Sequence, residues 1–282
     1  MYQYIKGILP NWPQNDGIIW WRTAGITSDI AVGQEVGIQD AIDSLISDFN
    51  DHPELPKAVF QIGLKYYSRA RLQPLGSQVN EYYRKAIAVW ERIIQDLPAS
   101  DITPRAYYVA AVCYSQELGE FVKGIAYYEA IAENWPDYQY AWHAQYFVGM
   151  YYSRLKASGA MAASEADPLI EKAYKGVVEK YPDSESAAPA ALKLAKMSSE
   201  KGLLPDAAKY YEFYLEKEKS QRARSSALNT VYSLGRRAEK EGALDTAVQF
   251  YGLVIGFEDS GDPLVEKAKA GLVRSLTATE VQ

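Results

Sequence analysis

Residues 185–219 read ESAAPAALKLAKMSSEKGLLPDAAKYYEFYLEKEK, two apolar patterns of helical period separated by Gly202. In the first half Leu192, Ala195 and Ser199 recur at steps of three and four residues, and in the second half Ala207, Tyr211 and Tyr214 do the same. That spacing lines one face of an α-helix. Gly202 suits the left-handed residue that closes a helix, and Pro205 suits the first turn of the next, where a missing N–H costs nothing. The stretch is predicted to be an αα-hairpin.

The same punctuation recurs along the chain. A small residue, a bulky one four positions on and a Pro eight positions later appear as Ala41/Leu45/Pro53, Ala86/Trp90/Pro98 and Gly124/Tyr128/Pro136. Ile170/Tyr174/Pro182 breaks the small-residue rule, while Ala207/Tyr211 and Ala247/Tyr251 end on Lys219 and Asp259 in place of Pro, so their inter-repeat turns are expected to differ. Successive starts lie 45, 38, 46, 37 and 40 residues apart, a period of roughly forty that belongs to helical solenoids. Thr103-Pro104, Asp167-Pro168 and Asp262-Pro263 are each predicted to place a capping side chain before a first-turn Pro, with Gly119, Gly202 and Gly242 in tight turns. The insertions RLQPLGSQVN (71–80) and LKASGAMAASEA (155–166) are predicted as loops or helix extensions on one rim.

A repeat array grows in one dimension, so the 282 residues are read as one body rather than two domains. The reading is about six hairpins, a partial repeat at the N-terminus and a lone helix, LVEKAKAGLVRSL, at the C-terminus. Hydrophobic content of 48% with 23% charge supports a folded core. The net charge of −6 opposes non-specific nucleic-acid binding, which depends on neutralising phosphates. The single cysteine, Cys113, excludes an intrachain disulfide and sits in an apolar helical stretch as a small hydrophobe. No run approaches the roughly 18 apolar residues of a membrane span.

The chain resembles the tetratricopeptide family, whose helical hairpins carry small residues at repeat positions 8 and 20, an aromatic at 24 and Pro at 32. Position 8 falls on Gly25, Gly63, Ala111, Gly149, Ala195 and Gly235, and position 20 on Ala41, Ala86, Gly124, Ala207 and Ala247. Small residues are expected there because the two helices of a hairpin cross closest at that point. The phrases DFNDHPELPKA, ENWPDYQYAWHA and EKYPDSESAAPAA are similar to the long-repeat subgroup found in bacterial outer-membrane assembly lipoproteins and Tol-associated periplasmic proteins. The resemblance implies an all-α fold, a right-handed α/α superhelical solenoid. It also implies no cofactor, and a periplasmic or envelope location first with cytoplasm second. Ile5, Ile8 and Pro13 fit the second helix of a preceding unit, and GIIWWRTAGITSDIAVGQ the next first helix. The apolar N-terminal end, with Trp12, Trp20 and Trp21, is then expected to bind missing chain or another subunit.

Catalysis finds no footing. The two histidines, His52 and His143, are far apart in sequence, and no GxSxG elbow, Walker loop, HExxH or paired CxxC is present. The twenty-three tyrosines are the excess, many of them adjacent pairs. Neighbouring helix positions face about 100° apart, so one ring of each pair is expected in the core and the other toward a groove or rim. The resemblance implies a groove lined by the first helix of each hairpin. Its residues would include Arg22, Phe60, Tyr67, Tyr108, His143, Tyr146, Met150, Arg154, Lys196, Tyr232 and Arg236. Rings and cations there favour an acidic segment or C-terminal carboxylate. The expected function is a non-enzymatic scaffold that binds a protein or peptide partner. The alternative is a carbohydrate or peptidoglycan-binding module that stacks sugars on exposed Tyr and Trp.

Overall fold

The computed structural model describes residues 16–73 and 77–279. Among them there is no strand, and the chain is all-α. The helices are α1 (Asp16–Val32), α2 (Ile38–Asp48), α3 (Leu55–Leu72), α4 (Ser77–Asp96), α5 (Thr103–Val112), α6 (Phe121–Asn134) and α7 (Ala141–Ala157). They continue with α8 (Ala163–Lys180), α9 (Ala187–Glu200), α10 (Leu204–Lys217), α11 (Gln221–Lys240), α12 (Leu244–Phe257) and α13 (Pro263–Thr279). One π-helical turn, Cys113–Glu117, prolongs α5. Two compact units divide the chain, Met1–Phe147 and Val148–Gln282, with the division inside α7. Ile5, Ile8, Trp12 and Pro13 lie outside the described residues.

In the first unit α1 pairs with α2, α3 with α4 and α5 with α6, while α1 also packs on α3 and α4 on α5. Each hairpin thus buries the apolar face that its neighbour would leave open. Ile19, Leu45, Leu55, Phe60, Trp90 and Ile93 form the centre of this core. The second unit repeats the scheme: α9 pairs with α10 and α11 with α12, α9 lies against α8, and α13 closes on both α11 and α12. Its core holds Ala195, Leu204, Tyr211, Leu228, Val231, Phe250 and Tyr251.

The links at Pro53, Pro136 and Pro182 share one geometry, two consecutive turns. The His52 N–H donates to the Phe49 carbonyl (2.8 Å) and the Leu55 N–H to that of His52 (3.0 Å). Trp135, Tyr138 and Ala141 repeat the pair at 3.0 and 2.7 Å, and Tyr181, Ser184 and Ala187 at 3.0 and 3.1 Å. The Asp259 link keeps this form, through Asp262 and Val265 at 2.9 and 3.0 Å. The Pro98 link keeps one backbone turn, the Thr103 N–H on the Ser100 carbonyl at 3.1 Å. The Lys219 link departs too: there the Ser220 hydroxyl accepts the Ala223 N–H at 3.4 Å and caps α11.

Several local expectations need correction. Asp167-Pro168 does not open a helix, because the 155–166 insertion extends α8 back to Ala163 and leaves Pro168 inside it. The Asp167 carboxylate instead accepts from Lys156 at 2.6 Å. Thr103 is the first residue of α5, and its hydroxyl accepts the Ser100 N–H (2.9 Å) rather than capping the helix. Asp262 does cap, accepting the Leu264 N–H at 2.7 Å. Gly119, Gly202 and Gly242 have φ of +70°, +75° and +77°, values that disfavour any residue with a Cβ.

The small residue at position 8 is required for a different reason from the expected one. A Cβ on Gly63 would lie 2.2 Å from the Trp90 ring, on Gly149 2.8 Å from the Tyr174 ring, and on Gly235 3.0 Å from the Tyr251 ring. These glycines make room for the bulky ring of the second helix rather than for its backbone. Gly25 has nothing within 4 Å, and its hairpin carries Leu45 where the others carry a ring. Backbone approach operates at position 20 in one hairpin, where a Cβ on Gly124 would lie 3.2 Å from the Ala111 carbonyl oxygen and 2.7 Å from the Ser115 Cβ.

Candidate functional site

The buried face of α11 is Ala227, Leu228, Val231, Leu234 and Ala238, a three- and four-residue spacing that turns the helix's cations outward. Together with α13 that outward face bounds an open cleft of about 630 Å³. Tyr232, Arg236, Arg237, Glu239 and Lys240 line it from α11, and Arg274 lines it from α13. Four cations therefore face one carboxylate. Arg274 forks onto Glu239 at 2.7 and 3.1 Å, and the Tyr251 hydroxyl donates to the same carboxylate at 2.6 Å. Arg274 beside it holds the Glu239 carboxyl below its usual range. Arg237 is occupied by Glu241 at 2.8 Å and by the Ser199 carbonyl at 3.1 Å. Arg236 and Lys240 are exposed and form no hydrogen bond or ion pair with any described residue.

A second open cleft, about 510 Å³, runs between α1 and α3 in the first unit. Trp20, Thr23, Gln61 and Leu64 line it with one cation, Lys65. Trp20 and Trp21 are 37% and 53% exposed, high for such large apolar side chains.

The expected groove residues fall in several environments. Arg22 is buried, bonded to Asp48 (3.0 Å) and Ser44 (2.9 Å) and lying 5.6 Å over the Phe49 ring, so it ties α1 to α2. Phe60 is also buried, 6.0 Å from the Trp90 ring with Arg105 stacked 4.7 Å above it. Tyr67 is half-buried, packed on Tyr83 (5.5 Å), with its hydroxyl on Glu117 (3.1 Å). The structure brings Tyr108 and His143 together, hydroxyl to Nδ1 at 2.5 Å, within rings that include Tyr138 and Tyr140. Tyr146 is half-buried, and burial raises its hydroxyl pKa. In the second unit Met150 is half-buried and Arg154 exposed. Lys196 lines a cleft of α7, α8 and α9, and Tyr232 and Arg236 share the α11–α13 cleft. The sequence reading missed Glu239 and Arg274, since only their spacing across one helical hairpin joins them.

The tyrosine pairs divide largely as helical geometry requires. In Tyr66-Tyr67, Tyr82-Tyr83, Tyr127-Tyr128, Tyr151-Tyr152 and Tyr210-Tyr211 one ring is buried and the other half-buried, whereas Tyr107 and Tyr108 are both half-buried. Many hydroxyls end on carboxylates rather than in solvent. Glu91 accepts from Tyr114 (3.0 Å) and Tyr127 (2.5 Å), and Glu117 accepts from Tyr67 (3.1 Å). Burial and these neighbouring charges raise the phenol pKa values, for Tyr67 and Tyr114 up to about 12.

Consecutive helical hairpins with an aromatic seated over a position-8 glycine fit a tetratricopeptide-like repeat protein. No protein-family model and no curated protein matches the chain. Among solved structures the chain is similar to PilW, described as a widely conserved type IV pilus biogenesis factor, at 14% identity and a TM-score of 0.40. That match covers 90% of this chain and 100% of the other.

Proposed function

We propose that this chain is a non-enzymatic scaffold that captures an acidic segment of a protein partner, anchored in the α11–α13 cleft. The observation that carries the reading is the pair Arg236 and Lys240, exposed cations in a four-cation cleft of a chain whose net charge is −6. An exposed cation cluster against an overall acidic surface selects acidic partners and repels others. Tyr232 beside them adds ring area at low entropic cost.

Within the second unit Met150, Arg154 and Lys196 belong to the same proposal, Tyr67, Tyr108, His143 and Tyr146 are proposed separately as partner contacts of the first unit, and one array over residues 1–282 is part of the same reading. The bacterial envelope, through the long-repeat subgroup, is the compartment that goes with it. Exposed Trp20 and Trp21 support self-association at the N-terminal end. Sugar stacking is not favoured around Tyr108, because Tyr108, Tyr138 and Tyr140 are tilted against one another by 31°, 61° and 76°.

The test is fluorescence anisotropy with a labelled Asp/Glu-rich peptide. Arg236→Glu with Lys240→Glu should weaken binding at least about tenfold, a loss of about 1.4 kcal/mol, and added salt should weaken the unmodified chain in the same direction. Equal affinity of the two proteins refutes the assignment.

A further inference from the structure

A third cleft, of about 310 Å³, lies in the second unit where α8 meets the end of α7 and the middle of α9. It is built differently from the cation-rich cleft of α11 and α13. Its apolar lining is Ala157, Ile170, Tyr174 and Met197. Ile170 and Tyr174 are buried, and the Tyr174 ring is held against Gly149, where an added Cβ would come within 2.8 Å of it. Ile170 occupies the position at which the other hairpins carry Ala or Gly. A branched four-carbon side chain there keeps two helices from meeting as closely as alanine allows.

The polar lining has a definite charge. Lys156, Lys193 and Lys196 face Asp167 and Glu200. Lys156 is taken by Asp167 at 2.6 Å, while Lys193 and Lys196 are exposed and form no ion pair with any described residue. Three ammonium groups against two carboxylates leave one positive charge beside an apolar lining. The volume is about that of ten water molecules, within the lower range of small-molecule pockets.

We infer that this cleft binds a monoanionic amphiphile, an aliphatic carboxylate whose head lies between Lys193 and Lys196 and whose chain lies on Ile170, Tyr174 and Met197. Head and tail are both needed. A small anion gains little from exposed ammonium groups in water, and an uncharged chain leaves the lysines without a partner. The cleft shares no residue with the α11–α13 cleft, and Lys196 is the one residue it has in common with the wider acidic-segment proposal, so Arg236→Glu with Lys240→Glu should leave decanoate binding unchanged.

Methionine methyl NMR tests it directly, because the chain has only four methionines, Met1, Met150, Met161 and Met197. Sodium decanoate, kept below micelle formation, should move the Met197 methyl signal saturably. Acetate should leave it in place, and decyltrimethylammonium should bind at least about tenfold more weakly, the effect of a 1.4 kcal/mol charge preference. Lys193→Gln with Lys196→Gln should weaken decanoate at least tenfold with the circular dichroism unchanged. Three results overturn the inference: equal binding of the cationic amphiphile, an equal response to acetate, or decanoate affinity untouched by the double substitution.

Discussion

Gly63→Ala is the sharpest probe of how these hairpins close. The added Cβ would lie 2.2 Å from Trp90 Nε1 and 2.6 Å from two of its ring carbons. Trp90 is fully buried, and its ring N–H donates to the Phe60 carbonyl at 3.3 Å. The ring cannot swing aside without losing that bond and displacing the packed core. Overpacking costs about 1–3 kcal/mol, and the net loss of the hydrogen bond adds about 1 kcal/mol. Replacing Gly by Ala inside a helix returns about 1 kcal/mol, leaving a net destabilisation of about 1–3 kcal/mol. Gly25→Ala is the control, because Gly25 is exposed within α1 and has nothing within 4 Å. It should stabilise by about 0.5–1 kcal/mol. Urea denaturation followed by tryptophan fluorescence measures both. If Gly63→Ala is stabilised as much as Gly25→Ala, the ring does not pin this crossing and the account of position 8 is wrong.

Other outcomes follow from the same structure. Tyr67 and Tyr114 are pushed up to about 12 from an ordinary value near 10, so the fold favours their neutral phenols. Their contribution is full below pH 10 and is lost as pH rises through about 12, because the unfolded chain releases those protons first. Tyrosinate absorbance in a pH titration should show a late group of tyrosines ionising together with loss of helix, and early ionisation of all of them would contradict the Tyr–carboxylate pairs. Cys113 is buried, and desolvation raises its thiol pKa, so an alkylating reagent should label it only after denaturant is added. Glu239→Ala removes the shared acceptor of Arg274 and Tyr251. Amide exchange in α13 should accelerate while that in α9 and α10 stays unchanged.

How far the sequence could be read depends on the range of the interaction. Gly and Pro punctuation and three- and four-residue apolar spacing are local, and they place α9 and α10 correctly. Asp167-Pro168 misleads because Pro is tolerated near a helix start, and an inserted segment can add a turn ahead of it without any change at the Pro itself. The surface proposed for binding follows repeat position only in part. Tyr232, Arg236 and Lys196 do line clefts, whereas Arg22 and Phe60, assigned to the same face by repeat position, are buried.

By itself the amino-acid order determined an all-α chain of paired helices and the places where each pair turns, because helical period and turn chemistry act between residues a few positions apart. Which tyrosines are sealed onto carboxylates, which glycine faces a ring, and which cations are left without a partner were decided only when helices 20 to 50 residues apart in sequence came into contact, as Tyr67 and Glu117 do across 50 positions. Pairing of that kind depends on where folded surfaces meet, and no local pattern encodes it.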